Sequence, residues 1–209
     1  MVLRSARVMI RGWTYHDDEL ADEWPPYHDP TEPLWNLPRP AGLAGELWSY
    51  FDGPFTRRTW AVEDLYGRLI GRISLRDIDQ RKAQARLGIT FGAPYIGQGL
   101  GTEALASFLG HYFTEMGFQT MVLDVAAPNQ RAVRSYERLG FRFVSSDWRM
   151  ADHRFDRRML DNPHYRNLQR FFRQGQQGLY VEFYEMELTK DEWFRSGRAA
   201  AGGAARSRS

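Results

Sequence analysis

A glycine-rich turn, with the sequence IGQGLGTEA over residues 96–104, constrains this chain most. Apolar residues follow it at three- and four-residue steps, which predicts a long helix that begins at Leu100 and is ended by Gly117. The first backbone amides of a helix lack partners within it, and the helix dipole is positive at that end. The turn therefore predicts a site for an anion such as a phosphate group, although glycines at such turns also serve tight packing.

The segments on both sides of the turn alternate between strand and helix. Upstream, three strand patterns over residues 58–91 follow one another at short spacing, which predicts an antiparallel meander. A loop with six prolines over residues 25–40 separates them from the opening strand. Downstream, the order is strand, helix, strand. The pattern predicts an α+β fold, with strands over residues 6–13, 58–64, 69–77, 83–91, 121–126, 141–144 and 179–188, and helices over residues 16–24, 43–51, 100–116, 129–139 and 162–173.

Composition excludes several classes of protein. Hydrophobic residues make up 43% of the 209 residues and charged residues 26%, a balance typical of a globular chain. There are no cysteines, so disulfides, thiolate metal sites and a cysteine nucleophile are excluded. No apolar run approaches the length of about 18 residues that a membrane span needs. We predict one cytoplasmic domain over residues 1–194, with no secretory signal and no membrane association.

Positive charge is concentrated at the end of the chain. The net charge is +2, but residues 195–209 contain four arginines and no acids. Their small and polar residues predict a disordered tail. The remaining 24 basic and 26 acidic side chains leave the domain nearly neutral, which argues against a nucleic-acid partner. The five histidines show no spacing typical of metal ligands, so we predict no metal site.

Two other phosphate-binding motifs match the turn less well. A nucleotide-triphosphatase loop needs a lysine after its last glycine, but Thr102 follows Gly101. A dinucleotide-binding fingerprint fits better, because Gly99, Gly101 and Ala104 match it and Asp124 follows in the next strand. The antiparallel meander upstream argues against the doubly wound sheet that such a site needs. A dinucleotide-binding oxidoreductase is therefore a minor alternative.

A second motif lies in the helix over residues 129–139. Asn129, then Ala132 or Val133, and Tyr136 fall along one helical stripe, because seven residues make almost two turns. Together with GQGLGTEAL, the segment LDVAAPNQRAVRSYERLGF resembles the GNAT superfamily of acetyl-CoA-dependent N-acetyltransferases. The resemblance covers residues 83–144 and, more loosely, the strands before them. It implies a three-layer α+β fold, whose central, mixed, mostly antiparallel sheet splays between its fourth and fifth strands.

The resemblance also implies a set of residues around acetyl-CoA. The pantetheine arm would pair with the open edge of the fourth strand, and backbone amides of the glycine turn would hold the pyrophosphate. Asn129 would bond the cofactor backbone, and Tyr136 would act as the catalytic acid toward the departing thiolate. The family places Gln or Arg where this chain has Ile96, so Arg131 or Arg134 would assist the amides. The implied cofactor contacts are Ile89, Thr90, Phe91, Gln98, Gly99, Leu100, Gly101, Thr102, Asn129 and Ala132.

No general base is evident in the sequence. Many relatives place a glutamate on the fourth strand, but residues 85–90 contain no carboxylate. Asp77, Asp79 and Asp124 are candidates, as is a water relay, although a solvated strand end is the favoured interpretation of each aspartate. We predict acetyl transfer from acetyl-CoA to a primary amine by direct attack on the thioester. A non-catalytic acyl-CoA-binding module of the same fold is the alternative.

An acidic stretch bears on the identity of the amine. Residues 12–38 contain no Lys or Arg and seven acids, which are Asp17, Asp18, Glu19, Asp22, Glu23, Asp29 and Glu32. In the resembled family this stretch lies beside the acceptor cleft, and its field would attract a cationic small amine or a peptide N-terminus. Eight arginines against four aspartates in residues 142–173 would weaken this field or favour an anionic acceptor.

Aromatic residues near the proline-rich loop are candidates for the wall of the acceptor pocket. They serve equally well as core residues, since a tryptophan buries a large apolar area in either place. The tryptophans concerned are Trp13, Trp24, Trp35 and Trp48.

A homodimer is compatible with the sequence as well.

Overall fold

One sheet runs through the residues that the computed structural model describes, which are 1–39 and 57–197. Its strands are β1 (Val2–Arg4), β2 (Val8–Gly12), β3 (Arg58–Asp64), β4 (Leu69–Asp79), β5 (Gln84–Phe91), β6 (Thr120–Ala126), β7 (Arg142–Met150), β8 (Phe172–Gly175) and β9 (Gly178–Thr189). They lie in the order β1-β2-β3-β4-β5-β6-β9-β7, and β8 pairs with β9. The pairs from β1 to β5 are antiparallel. Those that join β3, β4 and β5 confirm the predicted meander.

The helices of the described residues are α1 (Tyr15–Asp22), α2 (Leu100–Thr114), α3 (Gln130–Leu139) and α4 (Lys190–Arg195). α2 begins directly after the glycine turn and buries the predicted stripe, from Leu100 to Phe113. Phe108 on this stripe packs edge-on against Trp60 of β3, with ring centroids 4.8 Å apart. Each such side chain contributes about 1.5–3 kcal/mol by burial, which holds α2 on the sheet. In the same residues no helix has the length and apolar character to cross a membrane.

A second apolar cluster covers the opposite face of the sheet. Leu34 from the proline-rich loop and Phe183 of β9 are buried in this cluster. Two 3-10 segments, Arg157–Asp161 and Pro163–Phe171, contribute further apolar side chains. α2 and α3 share the core on the first face. Helices, sheet and second cluster make three layers, so the predicted α+β architecture is confirmed.

β5 and β6 are parallel and pair only at one end. The ladder joins Gln84, Ala85 and Arg86 to the start of β6 and continues no further, so the two strands part beyond Arg86. Because the sequence analysis predicts no strand at β1, β5 and β6 are the fourth and fifth predicted strands. The predicted splay between the fourth and fifth strands is therefore confirmed. β9 lies antiparallel between β6 and β7. This sheet is unlike the doubly wound parallel sheet that the oxidoreductase alternative needs.

Several boundaries differ from the prediction. β7 continues to Met150 instead of ending near residue 144, because β9 pairs with it as far as Met150. The helix predicted over residues 162–173 is the 3-10 segment Pro163–Phe171, and the Asn162 side chain caps its start. The prediction lacks the short elements β1, β8 and α4. The helix predicted over residues 43–51 lies outside the described residues, as does most of the tail predicted to be disordered.

Asp17 belongs to the fold and not to an exposed acidic surface. The Arg11 guanidinium donates two hydrogen bonds to its carboxylate, each 2.7 Å long, and the Thr14 N–H donates a third. Arg11 also donates to Glu63 of β3 at 2.8 Å. The hydrogen bonds from Arg11, opposed by burial, lower the pKa of Asp17 to about 2. The negative charge of one of the seven acids of the acidic stretch is therefore balanced by Arg11 within the fold.

We expect Asp17→Asn to lose about 2–3 kcal/mol of unfolding free energy at neutral pH, since the folded pKa lies about two units below that of an unfolded aspartate. A lowered pKa stabilises the fold above the unfolded pKa, near about 3.9, and this contribution is lost as the pH falls toward about 2. Urea unfolding of both proteins between neutral and acid pH measures the difference. The difference should shrink below about pH 4, and one that is constant with pH would contradict the assignment.

Candidate active site

A cavity of about 300 Å³ opens where β5 and β6 part. β5 and the glycine turn line one part of it, β6 and α3 another, and the loop from Tyr27 to Leu37 a third. Gln98 and Leu100 lie outside this lining. The other predicted site residues all line it, namely Ile89, Thr90, Phe91, Gly99, Gly101, Thr102, Asn129, Ala132 and Tyr136.

The backbone of β5 presents hydrogen-bonding groups to the cavity. Gly92 N–H donates to Ile70 of β4 at 3.0 Å, so the Phe91 carbonyl, on the other side of the same peptide, points away from β4. Alternation along the strand puts the N–H and C=O of Ile89 on this open edge as well. Tyr27 donates its hydroxyl hydrogen to the Phe91 carbonyl. The edge thus retains both Ile89 groups and the Phe91 N–H facing the gap.

The glycine turn borders the cavity with the start of α2. Gly97 and Gly99 have φ angles of +77° and +79°, which favour glycine. A Cβ on Gly101 would lie 3.3 Å from the Phe91 ring, so the chain passes close to β5 here. Leu100 points into the core and is 8% exposed. The amides and the positive end of the α2 dipole therefore face the space where an anion would bind.

Gln98 and Glu103 hold the turn from outside the cavity. The Gln98 side chain donates to the Pro94 carbonyl at 2.6 Å, and the Gln98 backbone carbonyl accepts from Arg7 at 3.1 Å. Glu103, in the first turn of α2, accepts from Arg7 at 2.7 Å and from Ser5 at 2.8 Å. The Gln98 side chain thus stabilises the turn. A contact between the Gln98 backbone N–H and the cofactor stays a prediction.

α3 brings the predicted stripe to the cavity. Asn129 caps the helix, since its side-chain oxygen accepts from the Ala132 N–H at 3.2 Å. The side-chain NH2 of Asn129 takes no part in this cap. Arg131 and Arg138 line the cavity, whereas Arg134 is exposed and outside the lining. Of the two arginines named by the sequence analysis, Arg131 is therefore the one that reaches the site.

Tyr136 lies half-buried on α3, with its ring edge-on to Phe141 at 5.8 Å between centroids. Burial raises the pKa of the phenol above its ordinary value of 10.0, the Asp124 carboxylate raises it further, and Arg131 opposes both. The phenol is therefore protonated throughout the neutral range. A protonated phenol beside a cavity is suited to donate a proton.

Asp124 is not the solvated strand end that the sequence favours. Its side chain is 5% exposed and accepts from Arg86 at 2.6 Å and from Arg149 at 2.9 Å. Burial acts to raise the pKa of Asp124, but Arg86, Arg149 and Arg76 outweigh it and hold the pKa below its ordinary value. The carboxylate is anionic with both oxygens engaged. Sequence patterns miss this because Arg86 and Arg149 lie 38 and 25 residues away along the chain.

The other candidate bases lie away from the cavity. Asp77 pairs with Arg86 at 3.0 Å. Asp79 accepts from two backbone N–H groups in the turn after β4. Among the residues described, Asp124 is the only carboxylate of the cavity lining. Residues 1–39 and 57–197 also contain no group of three or more His, Asp or Glu side chains placed to hold a metal ion.

Aromatic side chains from the proline-rich loop form a further wall. Trp35 packs edge-on against Tyr27, with centroids 5.1 Å apart, and its indole N–H donates to the Thr31 hydroxyl at 2.9 Å. The Arg131 guanidinium lies over the Trp35 ring, 5.2 Å from its centroid. The loop is therefore joined to α3 across the cavity. The other candidate tryptophans lie elsewhere, Trp13 and Trp24 outside the lining and Trp48 outside the described residues.

Further lining residues are missing from the sequence analysis. Ser135 and Arg138 follow Arg131 at four and seven residues, so the helical spacing of α3 contains a signal for both. Arg76 of β4 and Phe183 of β9 also line the cavity, because the order of strands in the sheet brings them there. No local pattern marks these two, because strand neighbours are set by the order of the sheet.

Comparison with known proteins connects this geometry to a family. The model of the acetyltransferase (GNAT) domain matches residues 7–142, well over half of the chain. The chain belongs to the GNAT acetyltransferase family. The match includes the glycine turn and α3, which carry the resemblance seen in the sequence. That resemblance is therefore confirmed.

Acetyltransferases of polyamines are among the GNAT proteins similar to this chain. Spermidine N(1)-acetyltransferase from Vibrio cholerae serotype O1 (strain ATCC 39315 / El Tor Inaba N16961) is 31% identical over 96 residues, which are 46% of this chain and 56% of that protein. This match therefore spans little more than half of the relative's length.

Solved GNAT structures align over most of the chain. Spermidine N-acetyltransferase from Vibrio cholerae in complex with CoA and spermine has a TM-score of 0.64 at 18% identity, covering 91% of this chain and 99% of that one. Spermidine/spermine N-acetyltransferase from the same organism in complex with manganese ions has a TM-score of 0.60 at 18% identity, covering 91% and 96%. At this identity the alignments show the GNAT fold.

Proposed function

We propose that this GNAT protein transfers the acetyl group of acetyl-CoA to a primary amine. The observation that carries the proposal is the placement of three features around one cavity: the open edge of β5, the turn at the start of α2, and the Tyr136 phenol. They offer, in order, backbone groups for the pantetheine arm, amides for the pyrophosphate and a proton for the thiolate. A related acetyltransferase in complex with CoA supports the choice of co-substrate.

Positive charge in the cavity suits the phosphates of acetyl-CoA. Arg131 and Arg138 both line it from α3, and Ile96 of the turn brings no charge of its own. An arginine forms charge-assisted hydrogen bonds with phosphate oxygens, often in pairs. In this proposal the two arginines supply what the family's Gln or Arg at the Ile96 position otherwise supplies.

The proposed chemistry is a direct transfer. The nitrogen lone pair of a neutral amine attacks the thioester carbonyl carbon, a C–N bond forms, and the C–S bond breaks. Tyr136 donates its phenolic proton to the departing sulfur, and the proton lost by the attached nitrogen returns through water to the phenolate. Because Arg86 and Arg149 engage both oxygens of Asp124, water takes the part of the base.

The proposed acceptor is a cationic small amine. Spermidine and spermine appear in the names of the similar proteins. Asp18, Glu19, Asp22 and Glu23 of the acidic stretch are exposed, whereas Asp17 is buried against Arg11. None of the acids of this stretch lines the cavity formed by the described residues. They therefore act through a field that attracts cations at long range, and not through contact.

Thiol release from acetyl-CoA across a panel of neutral, cationic and anionic amines tests this function. We expect the highest kcat/KM with a diamine or polyamine, falling as ionic strength rises, because salt screens the field over a Debye length of about 10 Å at 0.1 M. The double variant Asp18→Asn/Asp22→Asn should flatten this salt dependence. The matched control Asp161→Asn/Asp191→Asn, which removes two exposed acids elsewhere, should leave it unchanged. A best acceptor that is neutral or acidic and indifferent to salt would contradict the cationic assignment.

The same assay separates an enzyme from a binding module of the same fold. A non-catalytic module binds acetyl-CoA in a calorimeter but releases no thiol with any amine. A homodimer stays a prediction, and sedimentation of the full chain measures it.

A further inference from the structure

A buried arginine bridges β5 and β6 at the point where their ladder ends. Arg86 is the last residue of β5 paired with β6, opposite Val122. Its Nη1 donates to Oδ1 of Asp124 at 2.6 Å. Asp124 lies two residues beyond Val122, a rise of about 6.6 Å along the strand. The ion pair therefore crosses the first part of the gap that the two backbones leave open.

The same two side chains connect to the neighbouring strands. Arg86 donates to Asp77 of β4 at 3.0 Å and to Glu185 of β9 at 2.9 Å. Asp124 accepts from Arg149 of β7 at 2.9 Å. The Arg86 and Asp124 side chains are 7% and 5% exposed. The bridge is thus held from both of its ends by partners on three further strands.

Arg149 extends the bridge to the loop that walls the cavity. It donates to the Leu37 carbonyl at 2.8 Å, and its guanidinium lies over the Phe183 ring, 3.9 Å from the centroid. Leu37 and Phe183 both line the cavity. One connected set of charges therefore reaches the β5 side, the β6 side and the loop side of the site.

Stability alone is a weak reason for such a bridge. Taking charges out of water costs several kcal/mol per ion, and a well-packed apolar pair of similar volume is often as stable. A buried ion pair does define a distance between the elements that carry it, because hydrogen bonds weaken steeply when donor and acceptor move apart. Here that distance is the width of the gap between β5 and β6.

We propose that the Arg86–Asp124 pair sets the separation of β5 and β6, and so positions the thioester between the Ile89 edge and the Tyr136 phenol. Asp124 is then a positioning residue and exchanges no proton with either substrate. The inference rests on the proposed acetyl transfer. Asp124 also acts on the proton donor, since its negative charge raises the pKa of Tyr136 and keeps the phenol protonated.

Variants that change the length of the bridge and keep its charges test this role. Asp124→Glu lengthens the acidic side chain by one methylene, and Arg86→Lys shortens the basic side chain of the pair. We expect both folded proteins to show a kcat lowered about tenfold to 100-fold at saturating substrates, the loss that a displacement near 1 Å causes. We expect CoA to bind at least about threefold more weakly in a calorimeter, because the gap that holds the pantetheine arm has changed width.

Arg11→Lys is the matched control. It shortens a second arginine–aspartate pair, between the partly exposed Arg11 and the buried Asp17, that lies outside the cavity lining. Thermal melting should show a loss of stability for this variant as for Arg86→Lys, while its kcat and its affinity for CoA stay at the wild-type values. This comparison separates a bridge that positions the substrate from one that only stabilises the fold.

Two outcomes overturn the proposal. One is a kcat within about twofold of wild type in folded Asp124→Glu and Arg86→Lys proteins, which a misplaced thioester would not allow. The other is an Asp124→Asn protein whose pH profile of kcat/KM has lost its acidic limb, which makes Asp124 the base. If the wild-type protein itself releases no thiol with any amine, the proposed function fails. The CoA affinities of the same variants then still decide whether the bridge sets the gap.

Discussion

Tyr136→Phe lowers kcat by about 10²–10⁴, the range expected for loss of a general acid, and leaves the KM for acetyl-CoA within about threefold. The reason is that the substitution removes one hydroxyl from the cavity and keeps the ring that packs against Phe141. The departing sulfur then loses the proton donor proposed for it, in a site where burial disfavours its negative charge. Steady-state kinetics with the best acceptor of the amine panel, at saturating acetyl-CoA, measures the effect.

Tyr165→Phe is a suitable control, because it removes a phenolic hydroxyl from a residue that packs against the second apolar cluster, outside the cavity lining. Its kcat should equal that of the wild type. The raised pKa of Tyr136 adds a second expectation. Since a raised pKa extends the protonated form to higher pH, ionisation of this phenol should not lower kcat below about pH 10, the ordinary tyrosine pKa. An unchanged kcat in Tyr136→Phe, with chemistry rate-limiting, would show that Tyr136 serves only to pack the helix.

Gly101→Val weakens the binding of acetyl-CoA by tenfold or more, a loss of at least about 1.4 kcal/mol. A Cβ at this position would already lie 3.3 Å from the Phe91 ring, and the two methyl groups of valine need further space. They have to displace either that ring from the β5 edge or the ligand from the amides at the start of α2. Isothermal calorimetry with CoA and acetyl-CoA measures the change without any need for turnover.

The control for this variant lies on the same helix. A Cβ on Gly110 of α2 would meet nothing within 4 Å, and Gly110 lies outside the cavity lining. Gly110→Val therefore repeats the β-branched substitution on α2 away from the ligand. We expect it to bind acetyl-CoA as the wild type does. Wild-type affinity in a folded Gly101→Val protein would remove the glycine turn from the binding site.

Local patterns explain how much of the fold the sequence predicts. The stripe of α2 is visible because each of its apolar residues repeats within one or two turns, and α3 is visible because Pro128 precedes it and Gly140 ends it. Gly97 and Gly99 mark the turn because their positive φ angles exclude most other residues. Short edge strands such as β1 have too few residues to show a period, and they form because a neighbour pairs with them.

The electrostatics of the site depend on contacts between distant parts of the chain. Asp124 in isolation has the appearance of a polar residue near a strand end. Its burial and its low pKa follow from Arg86 and Arg149, which the sheet brings to it from β5 and β7. Arg131 is an intermediate case, since its place on α3 is predictable but its contact with Trp35 is not. Sequence reasoning therefore predicts which residues line this cavity better than it predicts the charges around it.

The place of β9 between β6 and β7 gives the chain an order of assembly. β6 ends at Ala126, but the strand that covers its open edge begins only at Gly178. A ribosome adds about 5–20 residues per second, so β6 leaves it seconds before its partner exists. During that time the edges of β6 and β7 are unpaired, and such edges are where nascent chains associate wrongly. The cavity wall that carries Asp124 is therefore among the last parts of this protein to form during synthesis.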